Sequence, residues 1–152
     1  MKRLTLFFVL IATGIGAAGM LSAHTGATGV VKQRMDLMSD IARQMKTIGA
    51  IAGGKAAFDG ASVSAAAARI ADHGKHMPML FPKDSLQPPS EATARIWRDW
   101  EKFVAAAEDM RVAAGNLAGA GRAGDAAAVK DGFRALGKTC SACHKDFREK
   151  KR

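Results

Sequence analysis

At 152 residues the chain has room for one compact core and not for two ordinary domains. It is 48% apolar, much of that alanine, with no tyrosine and only four prolines, which argues against a strand-built fold and for helices. A formal charge of +9 comes with no helix-turn-helix or RNA-binding signature, so nucleic acid explains it poorly; an acidic protein partner, an anionic cofactor or plain solubility explains it better.

The chain opens MKRLTLFFVLIATGIGAAGMLSA: two basic residues, an apolar run, then small residues ending at Ala23. That is the order of a secretory signal peptide. The uncharged run from Leu4 to Ala23 is twenty residues, long enough to act instead as an anchor. The Gly/Ala-rich second half favours cleavage, so the expected organisation is a signal peptide at 1–23, a single domain at 24–152, periplasmic location and no membrane attachment after cleavage. Lys2 and Arg3 leave with the leader and no acid does, taking +9 to +7. Lys145, Arg148, Lys150, Lys151 and Arg152 crowd the other end.

Four helical stretches follow. The first spans about Val30 to Ala52, with Val31, Met35, Met38, Ala42, Met45 and Ile48 as its apolar stripe, and Gly53-Gly54 ends it. The second runs from Ser64 to about His76, capped by Ser62 or Ser64 and using Ala66, Ile70 and Met77. Four prolines make MPMLFPKDSLQPPS a loop. A third helix begins behind Ser90 and carries Ile96, Trp100, Phe103, Ala107, Met110, Ala114 and Leu117 until GAGRAG breaks it. A fourth spans Asp125 to about Lys150, with Val129, Phe133, Leu136, Cys140, Cys143 and Phe147 on one face. Short connections imply an all-α, antiparallel up-down-up-down four-helix bundle.

The fourth helix ends in TCSACHKDFREKKR, which holds both cysteines of the chain. Four chemistries use such a unit. A thioredoxin-type dithiol needs a strand-turn-helix setting that is absent here. A structural zinc site would have to recruit distant His73 or His76. A Cys140–Cys143 disulfide within a helical turn is strained. Covalent haem accounts for every residue: two sulfurs at i and i+3 reach two vinyl groups, and His144 turns under the ring to bind iron.

In an up-down-up-down bundle, the end of the fourth helix meets the start of the first, the HMPMLFP loop, and Trp97 and Trp100. Only eight residues follow His144, none of them Met or His, so a sixth iron ligand must come from upstream. Met110 lies midway along its helix, and Met45 sits about 10 Å beyond Met38. Both read as core. Met35, Met38, Met77 and Met79 have the right depth, against a strong tendency of helical methionines to be core filler.

With CSACH, the four-helix pattern and ALGKTCSACHKDFR in place, the chain resembles the class II c-type cytochromes: cytochrome c′ and its low-spin relative cytochrome c-556. Cytochrome c′ is itself one of the bundles from which this packing is known. The likeness spans about residues 30 to 150; its most specific part is CSACH followed by Arg148, with QRMDLMSDIARQMKTIGAIAGG, LFP and ARIW in support. It implies one haem c bound through thioethers to Cys140 and Cys143, with His144 as axial ligand. It puts Arg34 where many members have an arginine near the haem propionates, and Arg148 beside the proximal histidine. Met38 falls at the far-side position, which is a binding methionine in the c-556 type and a non-binding bulky residue in cytochrome c′. Met35 is the next candidate and Lys32 a weaker haem neighbour. Family members often dimerise through their first two helices, for which the small residues Ala65 to Ala68 are permissive.

The function expected is a periplasmic carrier of single electrons on a six-coordinate His/Met haem, serving a redox partner with an acidic docking patch. The alternative is a five-coordinate protein binding nitric oxide or carbon monoxide. No distal His and Arg pair supports peroxidase chemistry, so an enzyme is not expected.

Overall fold

The computed structural model describes residues 26–149; the expected signal segment at 1–23 and residues 150–152 lie outside them. Helix α1 spans Gly29–Ala52, α2 Gly60–His76, α3 Arg95–Arg98, α4 Trp100–Ala123 and α5 Ala126–Phe147, with a 3-10 turn at Met77–Leu80. The four long helices alternate in direction and enclose one core built on Ile48, Val63, Ile70, Ile96, Leu117, Val129 and Leu136. The architecture is the all-α four-helix bundle that the apolar spacing implies. No described helix is long and apolar enough to cross a membrane.

In α1 the period is right and the phase is turned. The buried positions are Val31, Arg34, Leu37, Asp40, Ile41 and Ile48, while Met35, Met38 and Met45 are half-buried flank residues and Ala42 is exposed. The rotation is possible because two charged residues find partners inside. Arg34 donates from Nη2 to the Ser85 carbonyl at 2.6 Å. Asp40 accepts from Arg43 and Arg69, from Gln44 at 3.2 Å and from His73 Nε2 at 2.6 Å. His73, from the sequence only a distant zinc candidate, is therefore tied across the α1–α2 contact.

Helix α2 starts before the predicted Ser64, because Asp59 rather than either serine caps it: its carboxylate accepts from Ser62 N at 3.0 Å and Ser62 Oγ at 2.6 Å. Gly60 and Gly121 then bring α2 and α4 into backbone contact; a Cβ on Gly121 would lie 2.8 Å from both Gly60 O and Ser64 N. That is why GAGRAG does not stop the helix where sequence suggests. Its glycines serve the approach of α2, and α4 continues to Ala123, ending at Gly124 with φ +70°. Ala66 and Ala67 of the small-residue stripe are spent inside the same packing, leaving Ala65 and Ala68 exposed. Since backbone cannot yield to an added methyl, Gly121→Ala is expected to cost about 1–3 kcal/mol, read as a lower denaturant midpoint of the holoprotein. A midpoint within error of the parent would contradict the α2–α4 contact.

The third predicted helix is divided and starts late. Residues 90–93 do not form a cap and first turn, because they pair with the end of the chain: Ala92 and Arg148 form an isolated antiparallel bridge, Thr93 N donates to Phe147 O at 3.0 Å, and Glu149 N to Glu91 O at 2.8 Å. The same pairing ends α5 at Phe147, short of the predicted Lys150. Asp99 breaks the α3–α4 run with φ −113° and ψ 43°, and its carboxylate accepts from Arg95 Nε at 2.7 Å.

The buried Asp40 makes stability acid-sensitive. Hydrogen bonds from His73, then Arg69, hold its carboxyl well below the usual carboxylate range despite burial. A depressed folded-state pKa contributes stability that is full above the unfolded value, near 3.9, and is lost as pH falls below it. Asp40→Asn is thus expected to flatten the decline in unfolding free energy between about pH 4 and pH 2; an unchanged acid limb would contradict this.

Candidate haem site

The motif lies on an unbroken helix. Cys140, Cys143 and His144 occupy the last turns of α5, where positions i, i+3 and i+4 share one face. Cys140 and Cys143 are half-buried, with Cys143 packed against the core, while His144 is exposed. Burial pushes both thiols up, that of Cys143 to about 11, so neither is a thiolate at neutral pH. That is the reverse of what a reactive dithiol needs. Among the described residues no three His, Cys, Asp or Glu side chains gather into a metal-binding group. His73 is bonded to Asp40, and His76 donates from Nδ1 to the Asp72 carbonyl at 2.8 Å. Among the described residues the zinc reading therefore has no fourth ligand.

Desolvation, then the charge of Arg148, pull the His144 imidazole below its ordinary pKa, with Glu91 opposing. A neutral imidazole with a free lone pair is the form that ligates metal. Arg148 follows one turn later; its backbone N–H donates to His144 O at 3.2 Å, and its guanidinium is bonded to Glu91, at 2.7 Å from Nε.

Helix α1 packs against α5 well before the motif. A Cβ on Gly49 would lie 3.0 Å from Cζ of Phe133, which puts those two residues side by side. Moving eleven residues back along α1 reaches Met38, and eleven forward along α5 reaches His144, each about 16 Å from that contact. Met38 is thus about level with His144. Met35 lies roughly 4.5 Å past that level, and Met45 is level with Gly137. Of the other methionines, Met77 and Met110 are buried in the core, and Met79 is 68% exposed.

One turn before Met38, Arg34 is buried with its guanidinium 4.5 Å from the Phe81 ring centroid. Its Nε and Nη1 are buried and have no hydrogen-bond partner within the protein. A desolvated cation with two unanswered donors calls for an anion. Lys32, exposed and paired with Asp36 at 2.6 Å, makes no such demand. Phe81 packs edge-on to Phe103 at 4.8 Å, and Phe103 to Phe147 at 5.4 Å, so the loop under Arg34 is joined through α4 to the end of α5. Trp97 is half-buried and donates from Nε1 to Phe81 O at 2.9 Å; Trp100 is 38% exposed and tilts on Phe103.

Two sulfurs and an imidazole on one helix face, with an unsatisfied buried arginine on the facing helix, fit a covalently held haem and define a bundle-type c cytochrome. The sequence profile of the cytochrome C′ family matches residues 29–148, and the chain belongs to that family. Cytochrome c′ of Rhodopseudomonas palustris (strain ATCC BAA-98 / CGA009) is 36% identical over 127 residues, covering 82% of this chain and 84% of the relative. Cytochrome c-556 of the same organism is 31% identical over 134 residues, covering 85% and 89%. The solved structure of cytochrome c′ from Rhodopseudomonas palustris superposes with a TM-score of 0.76 at 35% identity, over 83% of this chain and all of that one. The cofactor of this family is haem c, and the two cysteines present match attachment through two thioethers.

Sequence reasoning missed Asp40 and Glu91, and reached Phe81 only as part of the HMPMLFP loop. A signal for Asp40 existed in hindsight: it recurs three residues behind Leu37 and one before Ile41, where a solvated carboxylate is out of place.

Proposed function

We propose that the mature protein is a periplasmic carrier of single electrons rather than an enzyme, with haem joined to Cys140 and Cys143 and its iron ligated by His144 and Met38. What supports this reading is the contact of Gly49 with Phe133, from which ideal helix rise carries Met38 about level with His144. Bound haem supplies one-electron Fe(III)/Fe(II) chemistry, and thioether ligation favours the reduced form. The chain's own residues do the rest. Met38 closes the position a gas would use. Arg34 offers Nε and Nη1 to the propionates. Arg148, oriented by Glu91, places positive charge beside His144. Exposed Lys145, next to the motif, steers an acidic partner toward this end of the bundle.

The five-coordinate reading is about as well supported: the matching profile and solved structure are of cytochrome c′, and identities of 36% to a cytochrome c′ and 35% to a cytochrome c-556 do not separate the two types. The two readings differ in a single bond. Carbon monoxide at a level that would just saturate an open haem is expected to leave the absorption of the reduced holoprotein nearly unchanged; a prompt, full shift of the main haem band would transfer support to the gas-binding reading.

A further inference from the structure

Among the described residues Asp40 is the sole buried acid, and the site as described so far does not use it. Burying a carboxylate in a small bundle is costly unless its bonds are complete, and a leucine there would serve the core better. Its donors fall into two sets. Arg43 and Gln44 come from α1 itself, whereas Arg69 and His73 come from α2. Only the second set holds one helix against another.

Asp40 stands two residues after Met38, about 200° around α1. Its bonds to α2 therefore act on the side of α1 away from Met38, at nearly the same depth. On the other side of Met38, four residues back, Arg34 ties α1 to the Ser85 carbonyl. The brace from α1 to α5 at Gly49 and Phe133 sits roughly 16 Å away. Between these points the carboxylate adds polar cross-helix bonds to the core packing of Leu37 and Ile41 that also holds α1 next to Met38.

We infer that Asp40 is a positioning residue: its cross-helix bonds to Arg69 and His73 hold α1 so that Met38 stays at iron-binding depth and the distal position stays closed. The inference rests on Met38 being the ligand. Without the bonds to α2, α1 samples a rotated arrangement in which the thioether swings off axis, and the fraction of molecules open to an exogenous ligand rises.

The test uses oxidised and reduced holoprotein carrying Asp40→Asn, the pair Arg69→Ala with His73→Ala, or Arg43→Ala. The readouts are the sulfur-to-iron charge-transfer band and carbon monoxide affinity, with helical content followed by circular dichroism. Asp40→Asn and the α2 pair are expected to weaken the band and raise apparent carbon monoxide affinity about tenfold, as a tenfold larger open fraction requires. Arg43→Ala, which removes a donor on α1 itself, is expected to match the parent. Should Asp40→Asn fail to fold, the α2 pair, whose side chains are partly solvated, decides alone. A band and affinity at parental level in the α2 pair overturn the inference, as does Arg43→Ala behaving like Asp40→Asn. A parent without the band overturns the ligand reading, and this inference with it.

Discussion

Met38→Ala holoprotein is expected to turn from low-spin to high-spin and to bind carbon monoxide roughly a hundredfold more tightly than the parent. The magnitude follows from competition. If Met38 occupies the sixth position in all but about 1% of molecules, an exogenous ligand sees its affinity cut by that fraction, and deleting the thioether restores it. The side chain is half-buried and packs at the edge of the core, so truncation is expected to leave the bundle intact. Met35→Ala is the natural control. Met35 is three residues earlier and half-buried on the same helix, and its removal is expected to leave spin state and carbon monoxide affinity at parental values. A low-spin spectrum that survives Met38→Ala and vanishes in Met35→Ala would move the ligand one turn along α1.

The second large effect concerns attachment. In the parent, haem is expected to stay with the polypeptide through acid-organic extraction, and intact mass is expected to include it. Replacing both Cys140 and Cys143 by alanine is expected to abolish the adduct, because the chain has no other thiol. Either single replacement leaves one sulfur and hence a haem that is still bonded but less firmly oriented. The double variant is also expected to lose several kcal/mol of stability, since a cofactor that binds only the folded chain stabilises it by mass action and a tether keeps its effective concentration high. An extraction-resistant haem in the double variant would refute thioether attachment at these positions. Any loss of fold is separable, because helical content reports on the bundle independently of the adduct.

These effects rest on features that differ in how visible they are in the amino-acid order. The haem motif is local: three side chains within five residues, on a helix whose period is clear from Val129 to Phe147, so its placement on one helix face follows from spacing alone. The bundle topology is visible for the same reason, since each long helix repeats its own apolar stripe. What spacing does not reveal is the phase of α1, because Arg34 and Asp40 look like solvated charges until Ser85, Arg69 and His73 are brought near by the fold. The late start of the third helix is hidden too: the competing bonds to Phe147 and Glu149 come from more than fifty residues away. Gly121 is legible as a breaker within GAGRAG but not as a contact with Gly60, since only the pairing of α2 with α4 makes the missing Cβ atoms matter. Depth along a helix is known from sequence, whereas the register of α1 on α5 requires Gly49 to be seen against Phe133.

The most direct test of the central claim is the absorption spectrum of the oxidised holoprotein at neutral pH, recorded into the far red. Six-coordinate ligation by His144 and Met38 predicts a low-spin spectrum with a weak sulfur-to-iron charge-transfer band. A high-spin spectrum lacking that band would contradict it and leave Met38 as packing above an open iron.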